Sequence, residues 1–428
     1  MYLVLCSFLF PSFFYFQVPF YNLLLLSVDT LRADYLGCYG FPYPISPNID
    51  FLAERGVVFD NCITEIPLTC PSFSAMLTSN YPRSLGVTRN GLGINRKIKT
   101  VPEIFKENGY FTFCVQSNWT LKARLSGLSK GFDIYDDDFH SKRWGLFSSE
   151  RLADEVTARA LEILKGRPQD RPFFGWVHYS DPHAPYTYRK GFDVIPPAND
   201  KGRKSKKDRV KRNYASEVRF VDEHIGILLK ELPPNTKIVF ISDHGESLYE
   251  HSYLGHGRKL YQNEVKIPLI IVADDVFPGR LNLPVRGIDI GPTILGLVGI
   301  PIPKSFLGVD IFRKEISPHR VRVIETYSGA VPKIPILRFF MKRALPIMQA
   351  VLVDEWKLIL DGNRCELYNL ADDPKELKDL SLEQPTMVDK MVSLIKDWDK
   401  KTPFRKNIKE DTLSEEDFEI LRSMGYLE

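Results

Sequence analysis

A chain of 428 residues with 44% hydrophobic and 26% charged side chains has the composition of an ordinary globular protein, which excludes a disordered polymer or a multi-span membrane protein. Its length admits two or three domains, or one large α/β domain with an appendage. The formal net charge of +3 creates no global field toward nucleic acid or an anionic membrane, and the six cysteines show neither C-x-x-C spacing nor a compact disulfide framework.

Residues 1–21 are apolar and aromatic without a Lys or Arg, so they lack the basic start and cleavage site of a secretion signal. One reading is a membrane anchor interrupted by Pro11, Gln17 and Pro19, and another is a misplaced start. The localisation expected is therefore cytoplasmic or membrane-associated, with any membrane contact made through this segment.

From residue 22 a continuous apolar run stops at Asp29, the pattern of a buried parallel strand whose carboxyl end faces a site. Capping of the next turn is the local alternative for Asp29. Residues 46–56 read as a capped helix with proline in its first turn, and 57–59 as a short strand. Then comes Ile66-Pro67-Leu68-Thr69-Cys70-Pro71-Ser72-Phe73, a turn carrying the Thr69 hydroxyl ahead of a proline at the first helical position. Thr69 is either a simple helix cap or an oxygen presented at the partially positive helix start.

A polar loop around Asn90 follows, then a capping-box helix from Thr100 to Gly109 and a buried strand over 110–115 that ends at Gln116-Ser117-Asn118. Asn118-Trp119-Thr120 matches a glycosylation acceptor, but its place at a strand end favours a site-lining amide. Residues 148–165 have amphipathic helical spacing, and 172–179 form a strand leading into Asp181-Pro182-His183-Ala184-Pro185-Tyr186. Prolines on both sides of His183 fix a rigid loop that aims its imidazole. The basic run 201–212 contains no aromatic residue, so it reads as a solvated loop rather than an RNA-binding patch, with a gate for anionic substrate as the weaker reading.

A helix over 214–232 precedes a strand at 237–241, which ends in Ser242-Asp243-His244-Gly245-Glu246. The loop beyond gathers His251, His256, Arg258 and Lys259, and 266–272 returns to strand. A helix begins near residue 287, and the large domain is expected to end near 320. Four short strands with hairpin spacing (321–325, 349–353, 356–360 and 366–368) and helices near 386–399 and 414–423 complete a small α+β subdomain over 321–428.

Asp29, Asn118, Asp181 with His183, and Asp243 with His244 all fall just past predicted buried strands. In an open, mostly parallel sheet such ends share one edge. Two Asp oxygens, the His244 nitrogen and the Thr69 oxygen form a ligand set compatible with one divalent ion (zinc, manganese or calcium) and leave a second open. His183 or His256 can protonate a leaving oxygen, while Asn90, Arg258 and Lys259 are candidates to hold an anionic group, with Asn118 and Asp181 lining the substrate.

The motifs Asp29-Thr30-Leu31-Arg32-Ala33-Asp34, Thr69-Cys70-Pro71-Ser72, Asp181-Pro182-His183, Ser242-Asp243-His244-Gly245-Glu246, Gly255-His256-Gly257 and Tyr368-Asn369-Leu370 together resemble the sulfatase family of the alkaline phosphatase superfamily. The resemblance implies an α/β; alkaline-phosphatase-like α/β/α sandwich with a mostly parallel central sheet and a small C-terminal antiparallel subdomain, spanning a catalytic domain over 22–320. It implies Asp29, Thr69, Asp243 and His244 as metal ligands and His183 and His256 as groups facing substrate. One departure matters. Formylglycine sulfatases carry C-x-P-S-R, whereas here Thr69 holds the first place, Cys70 the variable one and Phe73 the place of the arginine, so formylglycine chemistry is not expected.

A threonine nucleophile with Asp-His ligation looks closer to the superfamily's phosphodiesterases and phosphoryl transferases. The expectation is thus a metal-dependent ester hydrolase acting on a small anionic ester through a phospho- or sulfo-threonine, with phosphoester favoured over sulfate. A membrane-associated head-group transferase is the alternative, and a non-catalytic binding protein the least supported reading. No nucleic-acid partner is expected, and the sequence does not set the oligomeric state.

Overall fold

The computed structural model describes residues 21–139, 151–195, 205–327 and 346–405, together with residues 414, 417, 419 and 420. Its strands in chain order are β1 (Asn22–Val28), β2 (Val57–Phe59), β3 (Cys62–Ile63), β4 (Phe111–Val115), β5 (Ile134–Asp136), β6 (Phe173–Tyr179), β7 (Thr236–Ser242) and β8 (Ser247–Leu248). They continue with β9 (Leu254–Gly255), β10 (Leu269–Val272), β11 (Gly279–Leu281), β12 (Val285–Arg286), β13 (Arg322–Thr326), β14 (Met348–Val353), β15 (Trp356–Asp361) and β16 (Arg364–Asn369).

Eight of these form one sheet in the order β11-β2-β10-β7-β1-β6-β4-β5. β1 lies at its centre, parallel to both β6 and β7, and all seven of its residues are buried. Each of its four leucines contributes about 1.5–3 kcal/mol by full burial, so this segment anchors the sheet. Alternation along the strand sends Leu23 and Leu25 to one face and Leu24, Leu26 and Val28 to the other. The first pair packs with Phe73, Met76, Ile104, Phe105 and Ile294, and the second set with Ile49, Leu52, Val156, Ala160, Val218 and Ile225. Helices therefore cover both faces: Thr69–Thr78, Val101–Glu107 and Ile290–Leu297 on one, Pro47–Arg55, Ala153–Gly166 and Lys206–Lys230 on the other. This is the α/β/α sandwich.

Only β10 runs against the rest, pairing antiparallel with β7 and β2. An apolar run such as Leu269-Ile270-Ile271-Val272 carries no direction, so the sequence left this reversal undetermined. The register brings strand ends level, with Val28 opposite both Tyr179 and Ser242, and Val115 opposite Val177. The residues that follow those ends emerge on one edge.

The second sheet, β13-β14-β15-β16, is wholly antiparallel. Ile324, Ala350, Leu352 and Ile359 on one face pack against Ile63, Leu260 and Val265 of the larger unit. Val323, Val351 and Leu358 on the other take Met391 and Ile395 from the helix Pro385–Lys401. Inside it Lys357 is fully buried, its Nζ donating to Glu376 at 2.6 Å.

Three local expectations change. Residues 206–212 of the basic run form the first turns of the long helix rather than a loop, because Ser205 caps it by accepting from the Asp208 amide at 3.1 Å. Thr69 is the first residue of its helix, so Pro71 stands third, not first. The helix expected from 148 starts at Ala153, with 148–150 outside the described residues. The segment 1–20 lies outside the described residues, as does most of the helix expected over 414–423. No described helix is long and apolar enough to cross a membrane.

Glu65 joins the two units. Its carbonyl accepts the Glu325 amide of β13 at 3.0 Å, and its buried carboxyl accepts the Ile288 amide at 3.1 Å. Burial pushes that carboxyl from its ordinary 4.5 up to about 7. The folded chain thus holds a proton that the unfolded chain releases, so this group's stabilising contribution is present below pH about 4.5 and is lost as pH rises through about 7. Glu65→Gln, which keeps the acceptor for Ile288, should raise the melting temperature relative to wild type above pH about 7 and converge with it toward pH about 4.5. Melting curves across that window check it, and a constant difference would count against the assignment.

Candidate active site

Asp29 follows β1 directly, and Asp243 and His244 follow β7. A carboxylate oxygen from each Asp and a ring nitrogen of His244 all lie within 4.8 Å of one another. His244 Nε2 is 3.4 Å from Asp243 Oδ2, 3.8 Å from Asp29 Oδ1 and 3.4 Å from the Thr69 hydroxyl. All four residues are fully buried. The sheet edge and the start of the Thr69–Thr78 helix therefore converge on one point.

Local bonding fixes each group. His244 Nδ1 faces its neighbour's carbonyl, Gly245 O, at 2.9 Å. The proton belongs on Nδ1, which leaves the Nε2 lone pair directed at the carboxylates. Burial lowers this imidazole to about 4, so it is neutral. Asp243 Oδ1 accepts the Thr30 and His244 amides at 3.2 and 2.9 Å, while its Oδ2 is buried with no hydrogen-bond partner among the described residues. An orphaned carboxylate oxygen beside a second buried carboxylate and a bare imidazole nitrogen is costly as it stands. A divalent cation resolves that cost, so the donor set fits a metal, with hard oxygens and one nitrogen suited to zinc, manganese or calcium.

The Thr69 turn is held from both sides. Ser72 Oγ donates to the Asp243 carbonyl at 2.8 Å, and the Cys70 amide donates to Asn90 Oδ1 at 3.0 Å. Asn90 is fully buried, and its Nδ2 has no hydrogen-bond partner among the described residues. Cys70 turns away toward the Leu92 carbonyl, 3.4 Å from its sulfur, and packs in the core. Thr69, not Cys70, faces the metal set.

His183 and His256 stand beside the set. Their rings are 5.2 Å apart, and the His256 ring is 4.3 Å from that of His244. His183 Nδ1 lies 2.8 Å from the Ala184 carbonyl, and His256 Nδ1 lies 3.1 Å from Glu246.

Two side chains expected to line the substrate have partners inside the protein. Asn118 donates from Nδ2 to Asp29 while its Oδ1 accepts the Thr120 amide at 2.8 Å and the Thr120 hydroxyl at 2.7 Å. It orients a metal-set carboxylate, and its complete burial removes it as a glycan acceptor. Asp181 is ion-paired with Arg189 at 3.2 Å, which ties the His183 loop to the Lys206–Lys230 helix through Arg189 and Ser216. Arg258 and Lys259 are half-buried on the His256 turn, and Lys259 borders a cavity of about 90 Å³ with Tyr261, Arg364 and Glu366 of the second sheet.

Sequence reasoning missed His178, Arg32, Glu246 and Glu264. His178 pairs in register with Ser27, its Nε2 is 3.9 Å from Asp29, and burial lowers it to about 3. A histidine inside an apolar strand is the signal that could have found it. Arg32 donates to the Glu246 carbonyl and pairs with Glu250, each at 3.1 Å, bracing the loop ahead of His256.

A family model for Sulfatase matches residues 21–300. The chain belongs to the sulfatase family. This sulfatase-family protein is 27% identical over 365 residues to an ulvan-active sulfatase of Formosa agariphila, covering 73% of this chain and 70% of that one. A structure of BT4656 in complex with its substrate D-glucosamine-2-N,6-O-disulfate superposes with a TM-score of 0.73 at 19% identity, covering 92% of this chain and 99% of that one. A phosphonate monoester hydrolase of Agrobacterium radiobacter gives 0.72 at 17% identity, covering 92% and 98%. The sulfatase-family fold is thus established for this chain, and its class of activity is that of an ester hydrolase.

Proposed function

We propose that this protein hydrolyses small anionic esters with the Thr69 hydroxyl as nucleophile and a divalent ion held by Asp29, Asp243, His244 and Thr69, and that it prefers phosphoesters to sulfate esters. The observation that carries the reading is the Thr69 oxygen 3.4 Å from the same His244 nitrogen that faces both carboxylates. When bound, the cation supplies Lewis acidity, lowering the pKa of the hydroxyl and offsetting charge on the ester oxygens. Asn90 Nδ2, buried beside the Thr69 turn, donates to a non-bridging oxygen in this reading, and Arg258 adds positive charge toward the anionic group. His183 or His256 takes up the proton that Thr69 Oγ1 sheds and delivers it to the departing alcohol oxygen.

The first step forms a bond from Thr69 Oγ1 to the central phosphorus or sulfur and breaks its bond to the alcohol. Water then attacks the same atom, releases the anion and returns the hydroxyl. The preference for phosphorus follows from the side chain. A hydrated aldehyde can shed its ester by collapsing to a carbonyl, but threonine has no second hydroxyl, so release depends on attack at the central atom. That route is open to a phosphoryl group in a charge-stabilised site.

Metal-stripped protein refilled with zinc, manganese or calcium should turn over a phosphodiester or phosphonate ester faster than an aryl sulfate. Hydrolysis of the aryl sulfate alone would reverse the preference. Product that appears only after adding an acceptor alcohol would favour the head-group transferase.

A further inference from the structure

Glu264 lies outside the metal set, fully buried, in the short helix Gln262–Val265, and it touches the chain on both sides of the site. Its carboxyl accepts the Gly257 amide at 3.1 Å, the peptide group that joins His256 to Gly257 just ahead of Arg258. Its own carbonyl accepts the Gly245 amide at 2.8 Å, and the Gly245 carbonyl in turn receives His244 Nδ1 at 2.9 Å. One residue thus holds both Gly245, whose carbonyl orients His244, and the turn that carries His256 and Arg258.

We infer that Glu264 is a positioning residue that sets the 256–259 turn, and through it the approach of His256 and Arg258 to the anionic group of the substrate. This rests on the function proposed above. The surrounding backbone leaves the turn little freedom. A Cβ at Gly245 would lie 2.1 Å from the Asn263 carbonyl oxygen, so those two backbones are already in contact. Gly257 has φ +84°, a left-handed conformation suited to glycine, and a Cβ there would lie 2.7 Å from Leu68 Cδ2, next to Thr69. The Gly257 carbonyl accepts from Thr326 of β13. The turn is wedged between the nucleophile's own turn and the second sheet, and the Glu264 carboxyl supplies the acceptor for its Gly257 amide. Without that carboxyl, this buried amide loses its acceptor and the turn relaxes away from His183 and His244.

The test is steady-state kinetics on the best ester of the substrate panel, with metal content and melting measured on every variant. Glu264→Ala should lower kcat/KM by about 10–100-fold at unchanged metal content, and Glu264→Gln, which keeps a side-chain oxygen, should recover most of the loss. In an Arg258→Ala background the Glu264→Ala loss should shrink to the part that acts through His256, because both changes remove the Arg258 contact to the substrate. If the alanine variant does not fold, Glu264→Asp, whose carboxyl is drawn back by one methylene, should show a smaller loss with the same dependence on Arg258. Losses that simply multiply between positions 264 and 258, or a folded Glu264→Ala with wild-type kcat/KM, would overturn the inference. A wild-type protein inactive on the whole panel would overturn the proposed function instead.

Discussion

Thr69→Ala should abolish turnover of every ester the wild type hydrolyses, with kcat lower by about 10⁴-fold, while binding a divalent ion through the three remaining side chains. The size of the effect follows from the chemistry, since alanine removes the atom that forms the covalent bond and no neighbour can replace it. Cys70 is the adjacent nucleophile, but its sulfur is directed to the Leu92 carbonyl in a dry core and its amide is committed to Asn90. Thr69→Ser, which keeps the hydroxyl and loses only a methyl group, should retain activity within about 100-fold. Comparable losses in both variants would point to a packing role for the threonine and not a chemical one.

Removal of the metal should be equally damaging, and it should also move stability. Asp29 and Asp243 present two buried carboxylates to one point, and without a cation their repulsion and lost hydration oppose folding. A chelator should therefore eliminate turnover and lower the melting temperature, with both restored by refilling, since a ligand that binds only the folded state stabilises it in proportion to its saturation. Asp243→Asn separates the two effects. It keeps an oxygen for the Thr30 and His244 amides but withdraws a charge from the set, so it should lose about three decades or more of activity and bind metal far more weakly while the apo protein melts no lower than wild type. Melting of apo and refilled protein beside metal content is the decisive comparison. A chelator that leaves rate and melting untouched would remove the metal from the account.

Much of this site was legible in the sequence because parallel strands translate position along the chain into position along an edge. Asp29 and Asp243 each follow the last residue of a buried strand by one place, and the pairing of Val28 with Ser242 brings them level. Thr69 was legible through the turn and helix start that carry it. What was hidden depended on partners remote in the chain. Nothing near Asn118 shows that its amide reaches Asp29, eighty-nine residues away, and nothing near Asp181 announces Arg189 as its counter-charge. Glu264 sits in the polar sequence Tyr261-Gln262-Asn263-Glu264, and the Gly245 and Gly257 amides that it accepts in its buried place are not announced by its neighbours in the chain. The reversal of β10 was hidden for a simpler reason, since burial on both faces erases the alternation that distinguishes one arrangement from another.

The most direct test is to quench the metal-loaded protein with acid during turnover of a phosphate or sulfate ester, digest it, and map the added mass by peptide sequencing in the mass spectrometer. The account predicts one phosphoryl or sulfonyl group on Thr69, absent from Thr69→Ala and gone once substrate is exhausted. The same adduct on Cys70 or on a histidine, appearing and disappearing at the rate of turnover, would contradict it.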